Sequence, residues 1–217
     1  MPKCSINGNL SYTHFKLTKE IIKLSNSDSW NNAKTEWDFD YAYYSEDLQT
    51  CLCGHHPIKN ICVIKNTENK NEAEVGNCCV NKFLGIEDGN KIFTSIKKLK
   101  VDITKSMNSE VLEYLRKKKV LTDFDYTFYS DTIRKRKLSE KQQAIRERIN
   151  QKLIDFTSYE SNSNFSRINL VMKWAEDKFW FDKTFVMSLK SSCEKKGKLS
   201  DKQKTALENI ITKLKIE

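Results

Sequence analysis

Five of the seven cysteines, Cys51, Cys53, Cys62, Cys78 and Cys79, fall within one short stretch, and two of the three histidines, His55 and His56, fall there too. Thiolate and imidazole are the donors that zinc prefers, and four of them close a structural zinc site. An odd cysteine count without a secretion signal argues against a disulfide framework, so the clustering points to metal. Cys51-Leu52-Cys53-Gly54 reads as a metal knuckle, in which the glycine lets the backbone fold back and bring amides toward the thiolates. Cys78 and Cys79 are adjacent, and adjacent side chains diverge, so one of them ligates. Cys79 is preferred because Val80 and Phe83 follow it at a spacing that can face a core. Cys62, between Ile61 and Val63, reads as a buried apolar thiol. The proposed ligands are therefore Cys51, Cys53, His55 and Cys79, holding Zn, with His56, Cys62 and Cys78 open as replacements.

The elements that must position these ligands can be read around them. Residues 58–64 (IKNICVI) are β-branched and apolar, the pattern of a short strand. Residues 66–71 form a polar turn, and residues 72–75 give a return strand that Gly76-Asn77 breaks. A helix then begins near Val80, with a cysteine in its entry turn, where helix-terminal amides favour a thiolate. Knuckle, hairpin and helix start are the layout of a treble-clef zinc finger. The same residues, C-x-C-G-H-x-x-I followed by V-G-N-x-C-V-x-K-F-L-G, resemble a family of uncharacterised small zinc-finger-like proteins of bacteria, phages and mobile elements. The likeness rests on Cys51, Cys53, Gly54, His55, Cys79 and Phe83. It runs on through Phe124-Asp125, Arg136-Lys137-Leu138-Ser139 and Gln142, covering roughly residues 37–153. It implies a metal site and an origin of that kind, and no particular activity.

Upstream, Thr18 is read as the cap of a short amphipathic helix over residues 19–24. Residues 37–44 (WDFDYAYY) read as an aromatic strand leading into the knuckle. Its rings are read as core over the hairpin rather than as a base-stacking platform. After Gly85 the apolar spacing turns helical, and an internal repeat appears. Phe124-Asp-Tyr-Thr-Phe128 matches Phe181-Asp-Lys-Thr-Phe185, and Lys137-Leu-Ser-Glu-Lys-Gln142 matches Lys198-Leu-Ser-Asp-Lys-Gln203. Val111 and Leu115 match Ile168 and Met172. The second copy carries an insertion of about four residues. Ser139 with Gln142, and Ser200 with Gln203, have the spacing of capping boxes.

Net charge is +9 and unevenly spread: about 16 Lys/Arg stand against about 8 Asp/Glu between Lys97 and Lys152. That asymmetry points to a polyanion partner and disfavours an acidic nucleic-acid mimic. The loops before the two capped helices are cationic, with Arg134, Lys135, Arg136 and Lys137 in the first copy and Lys195, Lys196 and Lys198 in the second. Each is expected near a helix N-terminus, whose amides favour anions. Arg116, Lys117 and Lys118 supply a third cluster.

No Ser-His-Asp arrangement, glycine-rich phosphate loop, His-Glu-x-x-His helix or deaminase signature is present, so the reading is of a protein that is not an enzyme. No run of about 18 apolar residues and no signal peptide is seen, so the chain is expected to be cytoplasmic, with no membrane partner. The fold class expected is α+β, mostly α: a treble-clef-like finger with a β-hairpin over residues 1–90, then two helical hairpins. These occupy residues 91–156 and 167–217, separated by a Ser/Asn-rich linker over 157–166. The function expected is a zinc-stabilised nucleic-acid-binding accessory protein contacting DNA or RNA phosphates. The alternative is a protein-interaction module, such as a phage-encoded inhibitor or adaptor of a nucleic-acid enzyme or host defence system.

Overall fold

The computed structural model describes residues 10–85 and 88–216, and shows a mostly helical α+β chain. A helix α1 (Leu10–Leu24) and a single turn α2 (Trp30–Ala33) lead into β1 (Trp37–Gln49). Strands β2 (Ile58–Asn66) and β3 (Glu72–Gly76) follow, and the three form an antiparallel sheet in the order β1-β2-β3. Then come α3 (Asn77–Leu84), α4 (Asp88–Val101), α5 (Ser109–Lys117), α6 (Asp123–Thr132), α7 (Glu140–Phe156), α8 (Tyr159–Trp174), α9 (Thr184–Lys196) and α10 (Asp201–Leu214). The chain divides into two compact units, Met1–Thr94 and Ser95–Glu217, with the boundary inside α4.

In the first unit the sheet follows the sequence closely. Cys62 pairs with Ala42 on one side and Val75 on the other. Trp37, Tyr41 and Tyr43 are buried, so the aromatic strand is core and not a stacking surface. The buried rings still satisfy their polar atoms: Trp37 Nε1 donates to Ser25 Oγ at 2.8 Å, and the Tyr43 hydroxyl to Glu74 Oε1 at 2.9 Å. Glu36 locks the chain entering β1. Its carboxylate accepts from Asn26 N at 2.9 Å, Ser27 N at 2.9 Å and Asn66 Nδ2 at 2.7 Å. A bond from the Ser27 side chain, then those from Asn66 Nδ2 and Asn26 N, hold its carboxyl down to about 2. Thr18 does not cap a helix. α1 runs through it from Leu10, because Leu17 and Ile21 bury one face at helical spacing.

In the second unit the repeat becomes three matched helices: α5, α6 and α7, then α8, α9 and α10. The capping boxes form as expected. Gln142 N donates to Ser139 Oγ at 3.3 Å and Ser139 N to Gln142 Oε1 at 3.1 Å. The second copy repeats this at 3.3 and 3.0 Å through Ser200 and Gln203. Residues 157–166 are not a linker. Ser158 caps α8 by accepting from Ser161 N, and Ser161, Asn164, Ile168, Val171 and Ala175 are buried at helical spacing along one face. Small polar residues occupy the first two buried positions of that face, so composition hid the period. The inserted residues of the second copy continue a helix. α9 has 13 residues where α6 has 10, and it ends on Gly197 in the left-handed conformation (φ +68°).

The two copies differ inside. In the first, the Tyr129 hydroxyl donates to Asn150 Oδ1 at 2.6 Å and accepts from Met107 N at 2.8 Å. Asn150 Nδ2 donates to the carbonyls of Ile103 at 2.6 Å and Lys105 at 2.7 Å, and buried Arg146 donates to the Thr132 carbonyl. The matched residues of the second copy are Val186, Ile211, Leu207 and Leu189, all apolar. Val186, Leu189 and Leu207 are buried in a core with Ile168, Val171, Cys193 and Leu199.

Candidate metal centre and cationic surface

Cys51 and Cys53 sit in the turn that follows β1. Gly54 holds φ +85°, so its amide can donate back to the Cys51 carbonyl at 2.7 Å, while Cys51 N donates to the His55 carbonyl at 2.9 Å. His56 Nδ1 lies 3.1 Å from both the Gln49 carbonyl and Thr50 Oγ1, tying the turn to the end of β1. Cys79 lies in the first turn of α3, which Gly76 precedes as N-cap. These elements bring the three sulfurs to within 4.8 Å of one another, with all three residues buried. Cys51 Sγ is 3.6 Å from Cys79 Sγ. A tetrahedral ion with Zn–S bonds of about 2.3 Å places its sulfurs roughly 3.8 Å apart, so the spacing fits such an ion.

The surroundings favour negative charge on sulfur. Gly76 N donates to Cys51 Sγ at 3.2 Å. The Lys16 ammonium lies over Gly54, where an added Cβ would meet Nζ at 3.0 Å. Hydrogen bonds from Cys51 and Cys79 hold the Cys53 thiol far below its ordinary range. Hydrogen bonding with Cys51 and Cys53, together with burial, pushes the Cys79 thiol up.

Of the four proposed ligands, the structure brings together Cys51, Cys53 and Cys79. His55 is exposed and lies outside the three-thiol group, though its charge contributes to lowering Cys53. Cys62 is a buried thiol in the sheet, pushed up to about 12 chiefly by burial. Cys78, kept open as a replacement ligand, lies outside the three-thiol group. It is only half-buried beside buried Cys79, which is how adjacent side chains diverge. The side chain of Phe83 lies outside the described residues.

The cations are placed differently from expectation. Arg134, Lys135, Arg136 and Lys137 are all exposed in the connection between α6 and α7. Lys195 and Lys196 instead lie in the last turn of α9, with Lys198 just beyond Gly197. Gly197 packs tightly: a Cβ there would meet Phe156 N at 2.6 Å and the Asp155 carbonyl carbon at 2.7 Å. The two corners thus share exposed cations and a capping box, but not their backbone surroundings. Nor are the N3 amides available to phosphate, because Ser139 and Ser200 occupy them, and Glu140 and Asp201 add negative charge in the first turns. Anion affinity at these corners rests on the side-chain cations. Arg116 and Lys117 close the last turn of α5, where they complement the helix dipole, and Lys118 is its C-cap. The Arg116 guanidinium stands 4.1 Å from the Tyr126 ring centroid.

Two features escaped the sequence reading. Asp125 is buried, and it joins Thr122 in a capping box while accepting from Lys152 at 2.8 Å and Arg148 at 2.7 Å. Burial opposes its ionisation, but the bonds from Lys152 and Thr122 hold its carboxyl below the ordinary range. The Thr-x-x-Asp spacing was the available signal. The second feature is the run Lys178-Phe179-Trp180-Phe181, whose first two aromatics are largely exposed.

Comparison with known protein families, curated proteins and solved structures finds no match for this chain. The structure supports the coarser part of the motif reading, a buried three-cysteine cluster that could hold a metal ion. No helix among the described residues is long and apolar enough to cross a membrane.

Proposed function

We propose that this chain is a nucleic-acid-binding accessory protein in which a zinc-stapled, treble-clef-like module precedes a duplicated cationic helical unit. Cys51, Cys53 and Cys79 supply three zinc ligands, and His55, exposed two residues beyond Cys53, completes the set by turning its ring toward them. Three thiolates and an imidazole make a donor set that zinc favours. When bound, the ion supplies a cross-link between the knuckle and α3. The role assigned to the chain is binding rather than catalysis.

The observation that carries the polyanion reading is the division of charge. Residues 95–217 hold 28 Lys and Arg against 17 Asp and Glu, a net +11, while residues 1–94 hold 10 against 12, a net −2. The exposed clusters at residues 134–137 and at Lys195, Lys196 and Lys198 lie wholly in the cationic unit. Contacts of this kind position a backbone without reading its sequence. The test is binding of a mixed-sequence 20-mer at several salt concentrations. The reading expects the logarithm of the binding constant to fall linearly with log salt, and a smaller slope when Arg134, Lys135, Arg136 and Lys137 are replaced together by Ser. Absence of binding at low salt overturns it.

A further inference from the structure

We infer that the corner between α8 and α9 is a stacking platform for unpaired bases, so that the nucleic acid this protein takes is single-stranded. The inference rests on the polyanion reading above and adds the form of the ligand.

The corner is built in two tiers. Trp174 and Phe181 are half-buried and pack against the core of the second copy. Above them stand Trp180, 70% exposed, and Phe179, 99% exposed. Trp174, Trp180 and Phe181 meet edge to face, with centroids 5.5 to 6.2 Å apart and planes near 90°. Successive turns hold the backbone, with Lys178 N donating to the Ala175 carbonyl at 3.2 Å and Phe181 N to the Lys178 carbonyl at 3.0 Å. The Lys178 ammonium lies 4.4 Å from the Trp174 centroid and donates to the Trp174 carbonyl at 2.9 Å. Trp180 is therefore fixed by its neighbours and yet open to solvent. Phe185, at the start of α9, is 43% exposed.

Phe179 and Trp180 are largely exposed and stand outside the core of the second copy, so that core does not require them to be aromatic. The occupant is argued from charge. The unit that carries this surface is strongly cationic, whereas the corner itself is balanced, with Lys173, Lys178 and Lys183 beside Glu176, Asp177 and Asp182. A ligand that is anionic along its length and presents flat aromatic faces satisfies both facts. A single strand does so, while a duplex keeps its bases stacked inside. Base stacking then acts at the corner, and phosphates are met by the cations elsewhere on the unit.

The test uses the full chain and fluorescently labelled dT20, rU20 and a 20-base-pair duplex, with anisotropy read across a salt series. The expected result is tighter binding of a single strand than of the duplex, with dT20 against rU20 reporting DNA or RNA preference. Phe179→Ala with Trp180→Ala should weaken single-strand binding about tenfold or more while leaving the salt slope unchanged. Trp180→Phe, which keeps a flat face, should retain most of the affinity, and unchanged helical circular dichroism would show that each variant folds. Binding of all three probes with no loss in the double variant overturns this inference and leaves the polyanion reading standing. No binding of any probe at low salt overturns both. Concentration-dependent dimerisation abolished by the double variant would assign the corner to a second copy of the chain and overturn the inference.

Discussion

The Tyr129 hydroxyl donates to Asn150 Oδ1 at 2.6 Å inside the first helical copy, at positions where the second copy has Val186 and Ile211. One duplicated scaffold thus carries two kinds of core. The polar version fastens the segment before α5, because Asn150 also binds the carbonyls of Ile103 and Lys105. Asn150→Ala leaves the buried tyrosine hydroxyl and two part-buried carbonyls short of partners. It should destabilise the chain by about 2–4 kcal/mol, since each buried unsatisfied group costs about 1–3 kcal/mol. Ile211→Ala at the matched, half-buried position should cost only about 1–2 kcal/mol. Urea denaturation of the two variants measures the contrast.

Gly197 ends α9 at φ +68° with the backbone of Asp155 and Phe156 against it. Backbone atoms cannot swing aside as a lysine tip can. Gly197→Ala should therefore lower stability by about 2 kcal/mol or more, from left-handed strain and overpacking together. Thermal melting of the variant is the check. Gly85→Ala, also at a left-handed position but with nothing within 4 Å of the added Cβ, should lose less.

Glu36 ties the turn after α1 to the sheet through its carboxylate. Its folded value, about 2, lies below the ordinary 4.5. The stability it contributes is complete above the unfolded value and is lost as pH falls from about 4.5 toward 2. Glu36→Gln turns one acceptor into a donor facing amide donors, so it should melt well below the native chain at pH 7. The gap between the two melting temperatures should narrow as pH drops through that window. A gap that stays constant from pH 7 to pH 2 would contradict the role.

Legibility followed the reach of each signal. The hairpin was readable because β-branched runs and a polar turn are local, and the capping boxes because a serine and a glutamine at fixed spacing suffice. The three sulfurs were readable from clustering. The displacement of His55 was not, since it depends on where Gly54 turns the chain. Residues 157–166 misled because Ser161 and Asn164 take buried helical positions that usually belong to apolar residues. The cationic corners were legible as charges but not as surroundings. Gly197 lies against the end of α7, far away in sequence, and the helix amides had already been claimed by the capping serines.

The account stands most directly on metal content, measured by inductively coupled plasma mass spectrometry on the full chain purified without chelator. It predicts about one zinc ion per chain, lost in Cys51→Ser, Cys53→Ser and Cys79→Ser and retained in Cys62→Ser. A native chain without metal, or one in which Cys62→Ser loses the ion as readily as the other three, would contradict it.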